Sequence, residues 1–160
     1  MKRIEVKLHL PAVAPLLDVI KGAADSLRDE LAAPLRVEGL DAEFRAAWQD
    51  ELAAGQNEDV RLLLSLFGKE FFTTGIIALD GTNAEPVVRA CAAVRLRLRG
   101  RELAALPDET LEDGTVELAQ LTEPVRRAFM SYVFLATLQD LVLNHLDTAI
   151  LGGPAQPQSS

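Results

Sequence analysis

Residues 123–150 read EPVRRAFMSYVFLATLQDLVLNHLDTAI, and this stretch decides the fold. Pro124 follows Thr122 and Glu123, and a proline in the first helical turn loses nothing because its N–H would be unpaired there. At 100° per residue, Val125, Phe129, Tyr132, Val133, Leu135, Leu138, Val142 and Leu146 leave apolar groups around most of the circumference. A helix of that kind is surrounded by other elements. Residues 128–151 also come closest to a membrane span, but Gln139, Asp140, Asn144, His145 and Asp147 interrupt them, at a high cost in lipid. The stretch reads as the central helix of a protein core.

The rest of the chain supplies the surroundings. Residues 2–10 alternate Ile4, Val6, Leu8 and Leu10 with Arg3, Glu5, Lys7 and His9, the period of one short strand with one buried face. After Pro11, the residues Val13, Leu16, Leu17, Ile20, Ala24, Leu27 and Leu31 fall on one side of an amphipathic helix. Pro34 and Gly39 break the next stretch. Asp41 caps a helix expected to bury Phe44, Ala47, Trp48 and Leu52 and to end at Gly55. Asn57 caps the next, whose stripe is Val60, Leu63, Leu64, Phe67 and Phe71.

The run 75–81, short and apolar between glycines, suits a helix end or a buried strand, and the reading leans to helix. Asn83 precedes another proline-marked start, and Val87, Cys91, Val94, Leu98 and Ala105 form the buried stripe of a helix over 84–105. Residues 107–114, acidic and rich in turn formers, read as an exposed loop, and residues 152–160 as a disordered tail. The expected fold is therefore mostly α: a single-domain bundle of about five helices over residues 1–151, with a short N-terminal β-strand.

Sixteen basic against 24 acidic residues leave a net charge of −8, which repels nucleic acid and anionic membranes, so neither is expected as a partner. Cys91 is the only cysteine, which excludes an intramolecular disulfide and suits a reducing, cytoplasmic setting. Charges interrupt residues 1–7 where an export signal would need a continuous apolar core. The 160 residues contain no glycine-rich phosphate loop, nucleophile elbow or paired-cysteine metal spacing, and no cofactor is implied.

Four sets of residues carry what chemistry there is. Thr137, Asp140, Asn144 and Asp147 lie on neighbouring turns of the long helix, either as its solvated edge or as a strip facing a pocket or a basic partner. Glu70 falls between the directions of Leu63 and Leu66, where a partly buried carboxylate would be either ion-paired or raised in pKa. Arg95, Arg97, Arg99 and Arg101 would share one face of a strand and grip an anion. As a helix, the reading favoured by the stripe through Val87, Cys91, Val94 and Leu98, they divide into two pairs that neutralise nearby acids. Of the two histidines, His9 and His145, the latter points away from Asp140 and lacks an orienting carboxylate on its own helix, and Cys91 sits where a cysteine acts as a small hydrophobe. The sequence names no catalytic, cofactor-binding or metal-binding residue.

Ile4 to Leu31, a short strand leading into a leucine-rich helix, and Leu138-Gln139-Asp140-Leu141-Val142-Leu143 on the long helix resemble a bacterial family of unknown function. That family is best populated in actinobacteria and commonly encoded beside the adaptor of the Clp protease. Its final helix carries Leu-Asn-Asp-Leu-Arg-Leu, from which this chain departs at the Asn and Arg positions, and its glycine-containing ending is missing here. The resemblance covers about a third of the chain. It implies a helical fold and a link to protein turnover, and it carries over no activity.

The expected function is protein–protein interaction or regulation without catalysis. The partner is unidentified, and homodimerisation through helices 84–105 and 123–150 is one form of it. The alternative is an enzyme or small-molecule binder using Glu70, Asp140 and Asn144 around an interhelical pocket.

Overall fold

A computed structural model describes residues 3–28, 30–33, 39, 41–113 and 117–150, with side chains described as far as 145. In chain order the elements are β1 (Ile4–Lys7), α1 (Leu10–Ser26), α2 (Ala42–Ser65), α3 (Lys69–Thr74), β2 (Ile76–Leu79), α4 (Ala84–Gly100), α5 (Asp108–Asp113) and α6 (Glu123–Ile150). A single 3-10 turn, Leu118–Gln120, leads into α6. The fold is mostly α, as the periodicities imply.

The core forms where α6 packs on α4 and α1, and α4 packs in turn on α2. Ala128, Phe129, Tyr132, Leu135, Leu138 and Val142 of α6 meet Val87, Ala90, Cys91, Val94 and Leu98 of α4, and Leu16, Ile20 and Leu27 close the α1 side. Each fully buried leucine or phenylalanine contributes about 1.5–3 kcal/mol relative to an exposed one. Phe67, in the turn between α2 and α3, stacks edge-on to Phe71, with centroids 5.2 Å apart, and reaches Phe134 of α6 at 6.0 Å. The aromatic cluster thus ties α3 to α6.

The structure differs from the sequence expectation in several places. Residues 76–79 are a strand, not a helix end, pairing antiparallel with β1 so that Ile4 faces Leu79 and Val6 faces Ile77. Their hydrogen-bond partner lies about seventy residues upstream, and local periodicity does not register so distant a ladder. Gly75 in the left-handed region, φ 76°, turns the chain from α3 into β2, and the Leu8 N–H donates to its carbonyl at 2.8 Å.

Gly55 does not end a helix: α2 runs through it without a break, because one helical glycine costs only about 1 kcal/mol and packing elsewhere on α2 outweighs it. Phe44, Trp48 and Leu52 are exposed, since the first half of α2 extends past the core that its second half joins. Residues 108–113 form a helical turn that buries Leu111, while Ala105, expected in the core, is exposed beyond the end of α4. Finally, α6 is not enclosed all round, for Met130, Val133 and Leu143 reach solvent. Leu146 and the tail at 152–160 lie outside the described side chains.

Candidate functional site

Thr137, Asp140 and Asn144 project from α6 into solvent, on the exposed side that Met130 and Val133 also occupy. The Thr137 hydroxyl donates back to the Val133 carbonyl at 2.9 Å, a contact within the helix. The Asp147 side chain lies outside the described residues. Glu70 is exposed rather than half-buried, because α2 ends at Ser65 and Gly68 starts a new helix, which resets the rotation extrapolated from Leu63 and Leu66. Its carboxylate lines a cavity of about 450 Å³ beside Arg3, Lys69 and Asn83, and none of the α6 strip lines that cavity. Among the described residues, the acidic pocket imagined from spacing is not assembled.

Arg95, Arg97 and Arg99 are helical and Arg101 follows the last residue of α4, and the four reach several different partners. Arg97, only 9% exposed, donates to Glu30 at 2.6 Å, and Arg101 approaches the same carboxylate at 3.6 Å. Hydrogen bonding and charge from Arg97 hold the Glu30 carboxyl below its ordinary range. Arg99 reaches Asp108 at 2.8 Å, so the acidic segment after α4 turns back to neutralise it. Arg95 instead lies over the Tyr132 ring, 4.4 Å from its centroid, and donates to Gln139 at 2.7 Å. Gln139 donates in turn to the Val88 carbonyl at 3.2 Å, closing a polar seam between α4 and α6. These contacts fasten helices together. The arginines form no common anion cradle.

Cys91 is fully enclosed in that seam, and burial pushes its thiol up to about 12. His9 and His145 are both exposed. Among the described residues, no group of three or more His, Cys, Asp and Glu is arranged to hold a metal. No helix among them is long and apolar enough to cross a membrane.

Two features escaped the sequence reading. Gln56, placed inside α2, gathers the chain that leaves α1: its Nε2 donates to the carbonyls of Leu27 at 3.0 Å and Glu30 at 2.9 Å, while its Oε1 accepts from the Ala32 N–H at 2.9 Å. Asn57, expected as a helix cap, instead donates to the Arg28 carbonyl at 2.6 Å. Their polarity hid this role, because polar residues in a helix ordinarily face water.

The second feature is the exposed arm of α2. Phe44, Trp48 and Leu52 recur every four residues and stand 56%, 39% and 41% exposed, in one row. The Phe44 and Trp48 rings pack edge to face at 6.2 Å, and with Ala47 and Glu51 they line a depression of about 350 Å³. The row continues at Leu52 into a groove of about 510 Å³ between α2 and α4, where Leu31, Ala93 and Leu96 form the floor and Leu96 is 43% exposed. Helical spacing made these residues look like core; only the position of the arm relative to α4 shows that they are surface.

No curated protein and no solved structure matches the chain. One family does, over residues 12–146, which cover most of α1 through α6 and include Leu138–Leu143 and the helical part of the Ile4 to Leu31 stretch, though not its strand. The chain therefore belongs to the family described as Domain of unknown function (DUF2017).

Proposed function

We propose that this domain is a non-catalytic protein-interaction module that engages its partner through the exposed row on α2. The observation that carries the reading is the continuity of Phe44, Trp48 and Leu52 with the Leu96 groove. Isolated exposed hydrophobes are ordinary on any surface, but a contiguous row containing two stacked aromatics is costly in water unless something covers it. Tryptophan and large aromatics also dominate binding energy in protein interfaces. The lone, deeply buried Cys91 and the acidic balance support a reducing, cytoplasmic setting. The test is a comparison of proteins captured from the native cytoplasm by the natural chain and by Phe44→Ala/Trp48→Ala/Leu52→Ala. A partner kept by the first and lost by the second is expected; identical captures would overturn the assignment to α2.

A homodimer through α4 and α6 is a second reading, supported by the exposure of Leu96, Met130, Val133 and Leu143 on those helices. Light scattering checks it, and a strictly monomeric mass at high micromolar concentration removes it. An enzyme or binder built on Glu70, Asp140 and Asn144 loses its premise, since the Glu70 cavity includes neither of the other two.

A further inference from the structure

The charges around the α2 arm narrow the partner. At 100° per residue, Glu51 stands at the edge of the apolar row, sharing the depression lined by Phe44 and Trp48, and Glu43 and Asp50 follow on the adjoining flank. Several acids elsewhere are matched, Asp59 by Arg89, Glu30 by Arg97 and Arg101, Asp108 by Arg99, and Glu123 by Arg126 and Arg127, while others such as Asp18, Glu102 and Glu117 stand apart from the α2 row without an ion pair among the described residues. Among the described residues no ion pair involves Glu43, Asp50 or Glu51. The arm therefore combines apolar surface with an excess of negative charge, Glu43, Asp50 and Glu51 against the single Arg45.

Resting on the interaction reading above, we propose that the arm docks a basic amphipathic helix of another protein. Its apolar side would lie on Phe44, Trp48 and Leu52, and its lysines or arginines would meet Glu43, Asp50 and Glu51. A second copy of this chain fits poorly. It would bring its own charge of −8 toward an acidic flank, and the arginines of its α4 and α6 are engaged within their own fold. A helical partner suits the geometry, because a row at i, i+4 and i+8 beside a groove is the surface into which an amphipathic helix lays its apolar face.

Trp48 is the sole tryptophan, so its fluorescence reports on the arm directly. The probes are a synthetic leucine–lysine amphipathic helix of about eighteen residues, enough for about five turns, and its counterpart with glutamate at every lysine. The lysine peptide is expected to shift Trp48 emission to the blue and saturate, with affinity falling at least about tenfold between low and high salt. The glutamate peptide should leave the emission unchanged. Glu43→Lys/Asp50→Lys/Glu51→Lys should exchange the two preferences, whereas Glu109→Lys/Glu117→Lys, outside α2, should not.

Equal response to both peptides, no response to the lysine peptide, or indifference to the α2 charge reversal would each overturn the basic partner. If instead Trp48 shifts on concentrating the protein alone while its mass doubles, the occupant is a second copy, and the α2 interaction surface stands without the basic helix. If Phe44→Ala/Leu52→Ala binds the lysine peptide as tightly as the natural chain, the assignment to α2 falls as well.

Discussion

Arg89 of α4 grips Asp59 of α2 with two parallel hydrogen bonds, Nε to Oδ2 at 2.9 Å and Nη2 to Oδ1 at 3.0 Å. Glu85, one turn earlier on α4, adds a contact of 3.1 Å to the same guanidinium. The Asp59 hydrogen bonds, more than the charge of either acid, raise the Arg89 pKa far above its ordinary value. Because Asp59 is 15% exposed but Arg89 is 52% exposed, solvent screens the pair. Asp59→Ala is expected to cost about 1 kcal/mol, below the range for sheltered charged hydrogen bonds. That lowers the melting temperature by about 2–4 °C. If Asp59→Ala/Arg89→Ala is much less stable than either single variant, the pair is not the coupled unit described.

Two glycines should respond in opposite directions to the same substitution. A Cβ on Gly55 would meet nothing within 4 Å, so Gly55→Ala should stabilise α2 by about 0.5–1 kcal/mol. Gly75 has φ 76°, and a Cβ there would stand 3.1 Å from the Leu8 carbonyl oxygen. Gly75→Ala should cost about 1–2 kcal/mol from the left-handed backbone alone. Urea denaturation of both variants checks the pair of signs.

Gln56 serves two carbonyls and one amide of the segment after α1. Gln56→Ala leaves these groups to find water and should cost about 1–3 kcal/mol. Gln56→Glu should be worse at neutral pH despite its matching shape, because a carboxylate would face the oxygens of Leu27 and Glu30 without a hydrogen to offer. If Gln56→Glu proves as stable as the natural chain, the assigned orientation of the amide is wrong.

Cys91, enclosed between α4 and α6 with its thiol pushed up to about 12, should not react with an exposed-thiol reagent in the native protein at neutral pH. Its labelling rate should follow the fraction unfolded as urea is added. Fast labelling without urea would contradict the packing of α4 against α6.

Asp80 accepts from the Thr82 hydroxyl at 2.7 Å and the Thr82 N–H at 2.8 Å, in the turn that delivers β2 to α4. These bonds, the hydroxyl first, hold its carboxyl below the usual 3.8. Folding therefore gains from the ionised form. The gain is complete above the unfolded value and is lost as pH falls through the lower folded one. Asp80→Asn should be less stable than the natural chain at neutral pH, and the difference should shrink at about pH 2. A difference that does not change with pH would detach it from this carboxylate.

Much of the fold was legible because its signals are local. The alternation of Ile4 and Val6 gives β1, and the stripes of α1, α4 and α6 repeat over several turns. The arginine run was readable as helical from its neighbours Val94 and Leu98, although the acids that receive it, Glu30 and Asp108, were not. Of the candidate strip on α6, its sharing one side of a helix followed from spacing. Its exposure did not.

The sequence by itself determined β1, the starts of α1, α4 and α6 and most of the buried stripes, since hydrophobic period and capping act within a few residues. Only the tertiary structure decided that Ile76–Leu79 is a strand, that Gln56 organises a distant segment, and that Phe44, Trp48 and Leu52 face water while Leu63 and Phe67, on the same length of chain, do not. The physical reason is common to all three. An apolar stripe specifies that a surface seeks cover, and whether cover exists depends on where β1, the end of α1 and the end of α4 lie in space.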